Sequence, residues 1–325
     1  MTHLYMADCS PYPEGGIYHF IMEPDGMLSE IEKAPLDRPM YLAFGGERLY
    51  ALLRAPFEGN GDSGICSFPI ASDGSLGTPT ETVSTEGVVG CHLCEAFGAV
   101  YAANYLSGSV IRLSLDGREK RLVRHAGAGA DPIRQDMAHP HYIAPTPDGK
   151  YLVCVDLGMD TVFTYDPALH EVARLKMPAG CGCRHLAFSD DGAFAYCADE
   201  LSSTISALSY ADGGFTYLGS VPLTDGRGSD GGMPSAIRYR NGKVYIASRT
   251  DSRIFVFDVT GGRMTYRFSM PSGGISPRDF DVFDDFIICA NEMGGAYVTR
   301  AGGNARPISI SEKIKKAFCV IGRHA

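Results

Sequence analysis

GCRHLAFSDDGAFAYCADELSS, from Gly182 to Ser203, decides the fold. It holds two short apolar runs, RHLAF and FAYCAD, separated by the turn residues SDDG. Short runs bounded by Asp and Gly mark an antiparallel strand pair. Arg184 and His185 open the first run, and Asp199-Glu200 close the second. Antiparallel pairing brings these ends together, so the hairpin carries an arginine, a histidine and two carboxylates at one end.

Variants of the same phrase recur along the chain: PMYLAF, GCHLCE, PHYIAP, CRHLAF, PSAIRY and PRDFDV. Their anchors are Leu42, Leu93, Ile143, Leu186, Ile237 and Phe280, spaced by 51, 50, 43, 51 and 43 residues. Each is followed by a short turn, a second apolar run (VYAAN, YLVCVD, FAYCAD), a polar loop and a third run (SVIRLSL, TVFTYD, TISALSY). Some phrases end in a weaker fourth run such as GGFTYLGSV. The runs are rich in Val, Ile, Tyr and Phe, and none sustains a helical period. Four strands repeating every ~40–50 residues predict an all-β chain, a β-propeller of four-stranded antiparallel blades. Six phrases start at Pro39 or later, and the N-terminal part begins in mid-phrase with LYMADC as a second strand. KAFCVIG, Lys316 to Gly322, can supply the missing first strand, which makes seven blades with the last closed by both ends of the chain. Residues 1–325 are thus expected to form a single propeller domain.

In a propeller the first strand of each blade lines the central channel and the second runs back beside it. The start of one and the end of the other therefore meet at one mouth. The residues two before each anchor are Met40, Cys91, His141, Arg184, Ser235 and Arg278. The second strands end at Asp8, Arg54, Asn104, Asp156, Asp199-Glu200, Ser248-Arg249 and Asn291-Glu292. A concave mouth lined by such groups is where a ligand is expected. Any one of them could instead cap a loop or pair on the surface. Arg184, Arg249 and Arg278 together are harder to explain so, because converging guanidinium groups repel unless a carboxylate or an anionic ligand compensates. Glu200 is the candidate carboxylate, and Asn104 and Asp156 are further candidates for substrate contact.

In His139-Pro140-His141 the proline fixes an extended lead into the channel strand. One of these imidazoles is expected to carry a proton or donate to substrate, and a histidine base predicts kcat/KM falling below about pH 6. His92 and His185 sit one residue beyond the channel-lining position, so they are expected to face the neighbouring blade, with substrate contact as the second reading.

The formal charge of -9 argues against nucleic acid or an anionic membrane as partner, but permits a small anionic substrate at a local arginine cluster. No apolar run approaches the ~20 residues that span a bilayer, and MTHLYMADCS lacks the features of a signal peptide, so a cytoplasmic location is expected. The 10 cysteines are expected to be reduced, buried thiols. Cys91 and Cys94 lie three apart on a strand and point to opposite faces, and the two HPH histidines have no third ligand in view, so no metal is expected.

At GCHL…AANYLSGSV, HPHYIAPTPDGKYLVCVDLGMDTVFTYD, CRHLAFSDDGAFAYCADELSSTIS, PSAIRY…VYIASRTDSRIFVFD and SPRDF…ICANE the chain resembles the seven-bladed propeller lactonases. These include propeller-type 6-phosphogluconolactonases and carboxymuconate cyclases. The resemblance implies His139 or His141, Arg184, Glu200 and Arg249 at the active site, with Arg278 matching another recurrent arginine. It implies hydrolysis of a sugar lactone, 6-phosphogluconolactone first, without a cofactor. The arginines would bind the carbonyl oxygen or phosphate, with a histidine, or Glu200, as base. A cycloisomerase acting on a carboxylated muconolactone would use the same groups. A non-catalytic scaffold would more naturally present an apolar patch at the mouth.

Overall fold

The computed structural model describes residues 2–57, 61–226, 231–302, 307–311 and 313–324. They form seven four-stranded antiparallel sheets arranged as the blades of a propeller, and no helix occurs among them. Blades are numbered from the N-terminus. The innermost strand of blade 1 is Ala317–His324, which pairs along Thr2–Asp8, so both chain ends close the ring. The innermost strands of blades 2 to 7 are Pro39–Gly45, Gly90–Ala96, Pro140–Pro145, Cys183–Phe188, Pro234–Arg240 and Ile275–Phe283.

The six anchors are buried, each packed on the preceding blade. Leu42 meets Tyr5 and Ala7, Leu93 meets Leu52 and Tyr50, and Ile143 meets Tyr101 and Ala103. Leu186, Ile237 and Phe280 repeat the arrangement against Val153, Ala198 and Ala247. The core is therefore seven slabs, one between each pair of blades. Fully burying one such side chain contributes about 1.5–3 kcal/mol. The recurrence of one aliphatic or aromatic residue per phrase follows from this packing.

One device recurs in all seven blades. The register between the innermost strand and its neighbour slips by one residue at the mouth end. In blade 5, Cys183 pairs with Asp199 and His185 with Ala198, leaving Arg184 as the extra residue. The same slip leaves Phe318, Met40, Cys91, His141 and Arg278 unpaired, and sets Ser235-Ala236 opposite Ala247. A β-bulge bends its strand and re-aims the extra side chain. Here it breaks the alternation of strand faces, so that His141 and Tyr142, and Arg184 and His185, all turn toward the channel, whereas Cys91 and Ser235 bond to the backbone of the next blade.

Candidate active site

Glu200 follows the last paired residue of its strand, and its amide donates to the Gly182 carbonyl at 2.8 Å. Gly182 has φ +62°, and a Cβ there would fall 2.3 Å from Leu201 Cγ, so the position requires glycine. The Gly182 amide in turn donates to Asp160 Oδ1 at 2.7 Å. These contacts hold Glu200 beside the bulged Arg184.

Three guanidinium groups converge on the Glu200 carboxylate. Arg184 Nε lies 3.0 Å and Arg249 Nη2 2.7 Å from Oε2, and Arg134 Nη2 contacts Oε1. Glu200 is 3% and Arg184 4% exposed. Burial alone would raise the Glu200 pKa, but Arg249 and Arg184 outweigh it and hold the carboxyl well below the usual range. Burial pushes Arg184 down to about 10, with Glu200 opposing and Arg249 and Arg278 reinforcing; it remains cationic at neutral pH. One carboxylate against three cations leaves two surplus positive charges in a chain of net charge -9. Arg184 Nε and Arg249 Nη2 touch Oε2 without hydrogen-bond alignment, and Arg184 Nη1 is buried without a partner. A buried charged donor left unmade is costly, and an anionic oxygen would satisfy it.

The two HPH histidines separate. His139 is fixed in the loops: Nδ1 meets the Tyr105 carbonyl at 2.9 Å, Nε2 meets Asp136 Oδ1 at 3.1 Å, and the ring stacks on Tyr105 at 4.3 Å. His141 occupies the bulge of blade 4, with its ring edge-on to Tyr105 and to His185 at 5.5 and 5.2 Å. Its Nδ1 is buried and unpartnered. Burial first, then Arg184, holds His141 well below the ordinary histidine range, so it is a neutral imidazole at pH 7. This moves the acid limb further down than an ordinary histidine base would place it.

Asn104 and Asp156 do not face the mouth, which corrects the sequence expectation. Both are fully buried last-paired residues whose side chains lock the segments leading in from the preceding blade. Asn104 Oδ1 accepts from Thr85 Oγ1 at 2.9 Å, and its Nδ2 donates to Thr85 O and Ser109 Oγ. Asp156 accepts the His139 and Met159 amides and meets His125 Nδ1. In blades 3 and 4 the last paired residue locks neighbouring loops; in blades 5 and 6 the residue after it, Glu200 or Arg249, joins the ion cluster of the mouth, and in blade 7 Glu292 meets Arg278. His92 and His185 depart from expectation only in part. His92 does reach the neighbouring blade, its Nδ1 accepting from the Ile143 amide at 3.4 Å, but the two rings also meet each other, with Tyr41 and Tyr142, one layer below the mouth. This layer closes the channel beneath His141. Arg278 joins Glu292 at 2.9 Å rather than Glu200.

Sequence reasoning missed Arg134, which lies in the loop before HPH and belongs to no strand phrase. No signal in the sequence marks it; its neighbour Gln135, a polar residue, is fully buried in the structure. Gln135 Oε1 accepts the Ala130 and Asp131 amides, and Nε2 donates to Leu157 O and Asp160 Oδ1. Asp160 thus braces both the Arg134 loop and Gly182.

The family model "Lactonase, 7-bladed beta-propeller" matches residues 3–304. An uncharacterised protein of Staphylococcus saprophyticus is 30% identical over 336 residues, covering 94% of each chain. A crystal structure of a Lactobacillus plantarum protein superposes with a TM-score of 0.88 at 29% identity, covering 99% of both chains. A Bacteroides fragilis protein provisionally assigned as a 6-phosphogluconolactonase superposes at 0.85 with 25% identity, covering 99% of this chain and 98% of that one. With a match along nearly all its length and the seven-bladed frame in place, the chain belongs to the seven-bladed β-propeller lactonase family.

Proposed function

We propose that this protein hydrolyses a sugar lactone, most specifically 6-phosphogluconolactone to 6-phosphogluconate, in the cytoplasm and without a metal or cofactor. The observation that carries the reading is the pairing, at one mouth, of an unpartnered buried guanidinium donor on Arg184 with an unpartnered neutral imidazole on His141. Ester opening needs an activated water and a donor for the oxyanion. His141 takes a proton from water as the hydroxide oxygen bonds to the carbonyl carbon. Arg184, with Arg249, holds the oxygen on which negative charge develops. The tetrahedral intermediate then breaks its ring C–O bond, and His141 returns the proton to the departing hydroxyl. Glu200 is not the base in this scheme, because three arginines keep it ionised and occupied. It positions Arg184 and Arg249. The B. fragilis neighbour supports a phosphorylated sugar lactone as the substrate class.

The test is hydrolysis of 6-phosphogluconolactone by purified protein against the spontaneous rate. His141→Gln should lower kcat/KM by about 10²–10⁴-fold, the span of a general base. Arg184→Ala should lower it by about 10²–10³-fold, the span of one oxyanion donor. Full activity in either folded variant defeats the mechanism, and no wild-type rate above background defeats the assignment.

A further inference from the structure

Beside the Glu200 cluster lies a second concavity of about 510 Å3, lined by Arg38, Arg54, Glu292, Lys316 and Phe318 among others. That volume is within the roughly 300–1,000 Å3 of small-molecule pockets. Its residues come mostly from the mouth ends of blades 1, 2 and 7: Phe318 is the bulged residue of blade 1, Arg54 follows the last-paired Leu53, and Glu292 lies beside the blade 7 bulge. Arg278 forms the partition. Its Nε meets Glu292 at 2.9 Å, and its guanidinium stacks on Phe318 at 4.9 Å.

Among its described lining residues this lobe carries more cations than carboxylates. Glu292, the lining carboxylate, is engaged by Arg278 and by Ser276 Oγ at 3.1 Å. Arg38 pairs with Asp37 at 3.2 Å. Among the described residues the side chains of Arg54 and Lys316 make no ion pair or hydrogen bond with protein. Two cations in a concave site with no ion pair among the described residues attract a multivalent anion. A phosphate monoester carries about -1.5 to -2 charges at pH 7, against one for a carboxylate. We propose that this lobe, through Arg54 and Lys316, binds the phosphate monoester of a lactone whose carbonyl sits at Arg184 and His141. It rests on the lactonase reading for the ligand's other end, and it makes the protein selective for phosphorylated over neutral lactones.

Isothermal titration of wild type and an Arg54→Ala/Lys316→Ala double variant with 6-phosphogluconate, gluconate and the diacid glucarate tests the lobe without turnover. Wild type should bind the phosphate ester at least about tenfold tighter than either comparator. The double variant should lose that advantage and keep its affinity for gluconate. In kinetics, the variant's KM for the phosphorylated lactone should rise by about tenfold or more, with kcat/KM for glucono-δ-lactone unchanged. An unaltered phosphate preference in a folded variant overturns the proposal. So does glucarate binding as tightly as the phosphate ester, or equal losses for all three ligands. Selective phosphate binding without lactone turnover would keep the lobe and sink the lactonase reading. Turnover without phosphate preference would do the reverse.

Discussion

Glu200→Gln tests the electrostatics of the mouth most directly. The substitution keeps the shape and removes the one carboxylate that faces Arg134, Arg184 and Arg249. Arg184 is wholly enclosed, so it cannot turn to water for compensation. Leaving a buried charge without its partner costs about 3–5 kcal/mol. With an unfolding entropy of about 2.1 cal/mol/K per residue, 325 residues give roughly 0.7 kcal/mol/K, so the melting temperature should drop by about 4–7 °C. Arg134→Ala should cost far less, about 0–1 kcal/mol, because Arg134 is 35% exposed and Glu200 keeps two cations. Calorimetry of wild type and both variants supplies the measurement. Phosphate added at a hundred times its dissociation constant should restore about 2.7 kcal/mol to Glu200→Gln by seating an anion among the freed arginines. A Glu200→Gln melt within 1 °C of wild type, or a loss no larger than that of Arg134→Ala, would refute the argument that Glu200 is the counter-charge of this cluster.

Four other outcomes are expected. The kcat/KM profile should stay flat from pH 8 through pH 6 and fall only below that, because His141 is held well below its ordinary pKa by burial and Arg184; an acid limb centred near 6.5 would contradict this. His92, His141 and His185 are all lowered, burial first, so the unfolded chain takes up protons below about pH 6.5 that the folded chain refuses. Their contribution to stability is present above that pH and lost below it, and His185→Gln should flatten the stability–pH slope by about 1.4 kcal/mol per unit near pH 5–6; identical slopes by denaturant titration would count against it. Asn104→Ala should cost about 1–3 kcal/mol by leaving Thr85 and Ser109 short of partners, with KM unchanged; a KM effect without destabilisation would return Asn104 to the binding surface. Activity should survive EDTA, since no group of three His, Cys, Asp or Glu among the described residues could hold a metal; loss reversed by calcium would overturn that.

The blades were legible because packing imposes a period. Every inter-blade slab needs one anchor, and Leu42, Leu93, Ile143, Leu186, Ile237 and Phe280 repeat at that interval. Glu200, Arg184 and Arg249 were legible for the same reason, as polar residues at fixed offsets from an apolar beat. Asn104 and Asp156 were misplaced because a strand's last paired residue and the one after it look alike in sequence, yet one turns inward and the other outward. His92 and His185 were placed only half right, on the neighbouring blade but not against each other, because strict alternation was assumed where a bulge breaks it. The paired polar letters before the anchor, RH in blade 5 and CH in blade 3, were the visible trace of that slip. Arg134 lay beyond reach because loops keep no period, and only the tertiary bracing of Gln135 by Asp160 brings it to Glu200.

The bulges also bear on how such a protein changes over time. Phe318, Met40, Cys91, His141, Arg184, Ser235 and Arg278 stand outside the one-to-one ladder of their blades. A replacement at His141, Arg184 or Arg278 alters what the funnel grips while every cross-strand partner stays where it was, whereas Cys91 and Ser235 tie their blades to the next. Such sockets on an inert frame let a lineage trade one acid for another by single codon steps, without first having to rebuild its scaffold.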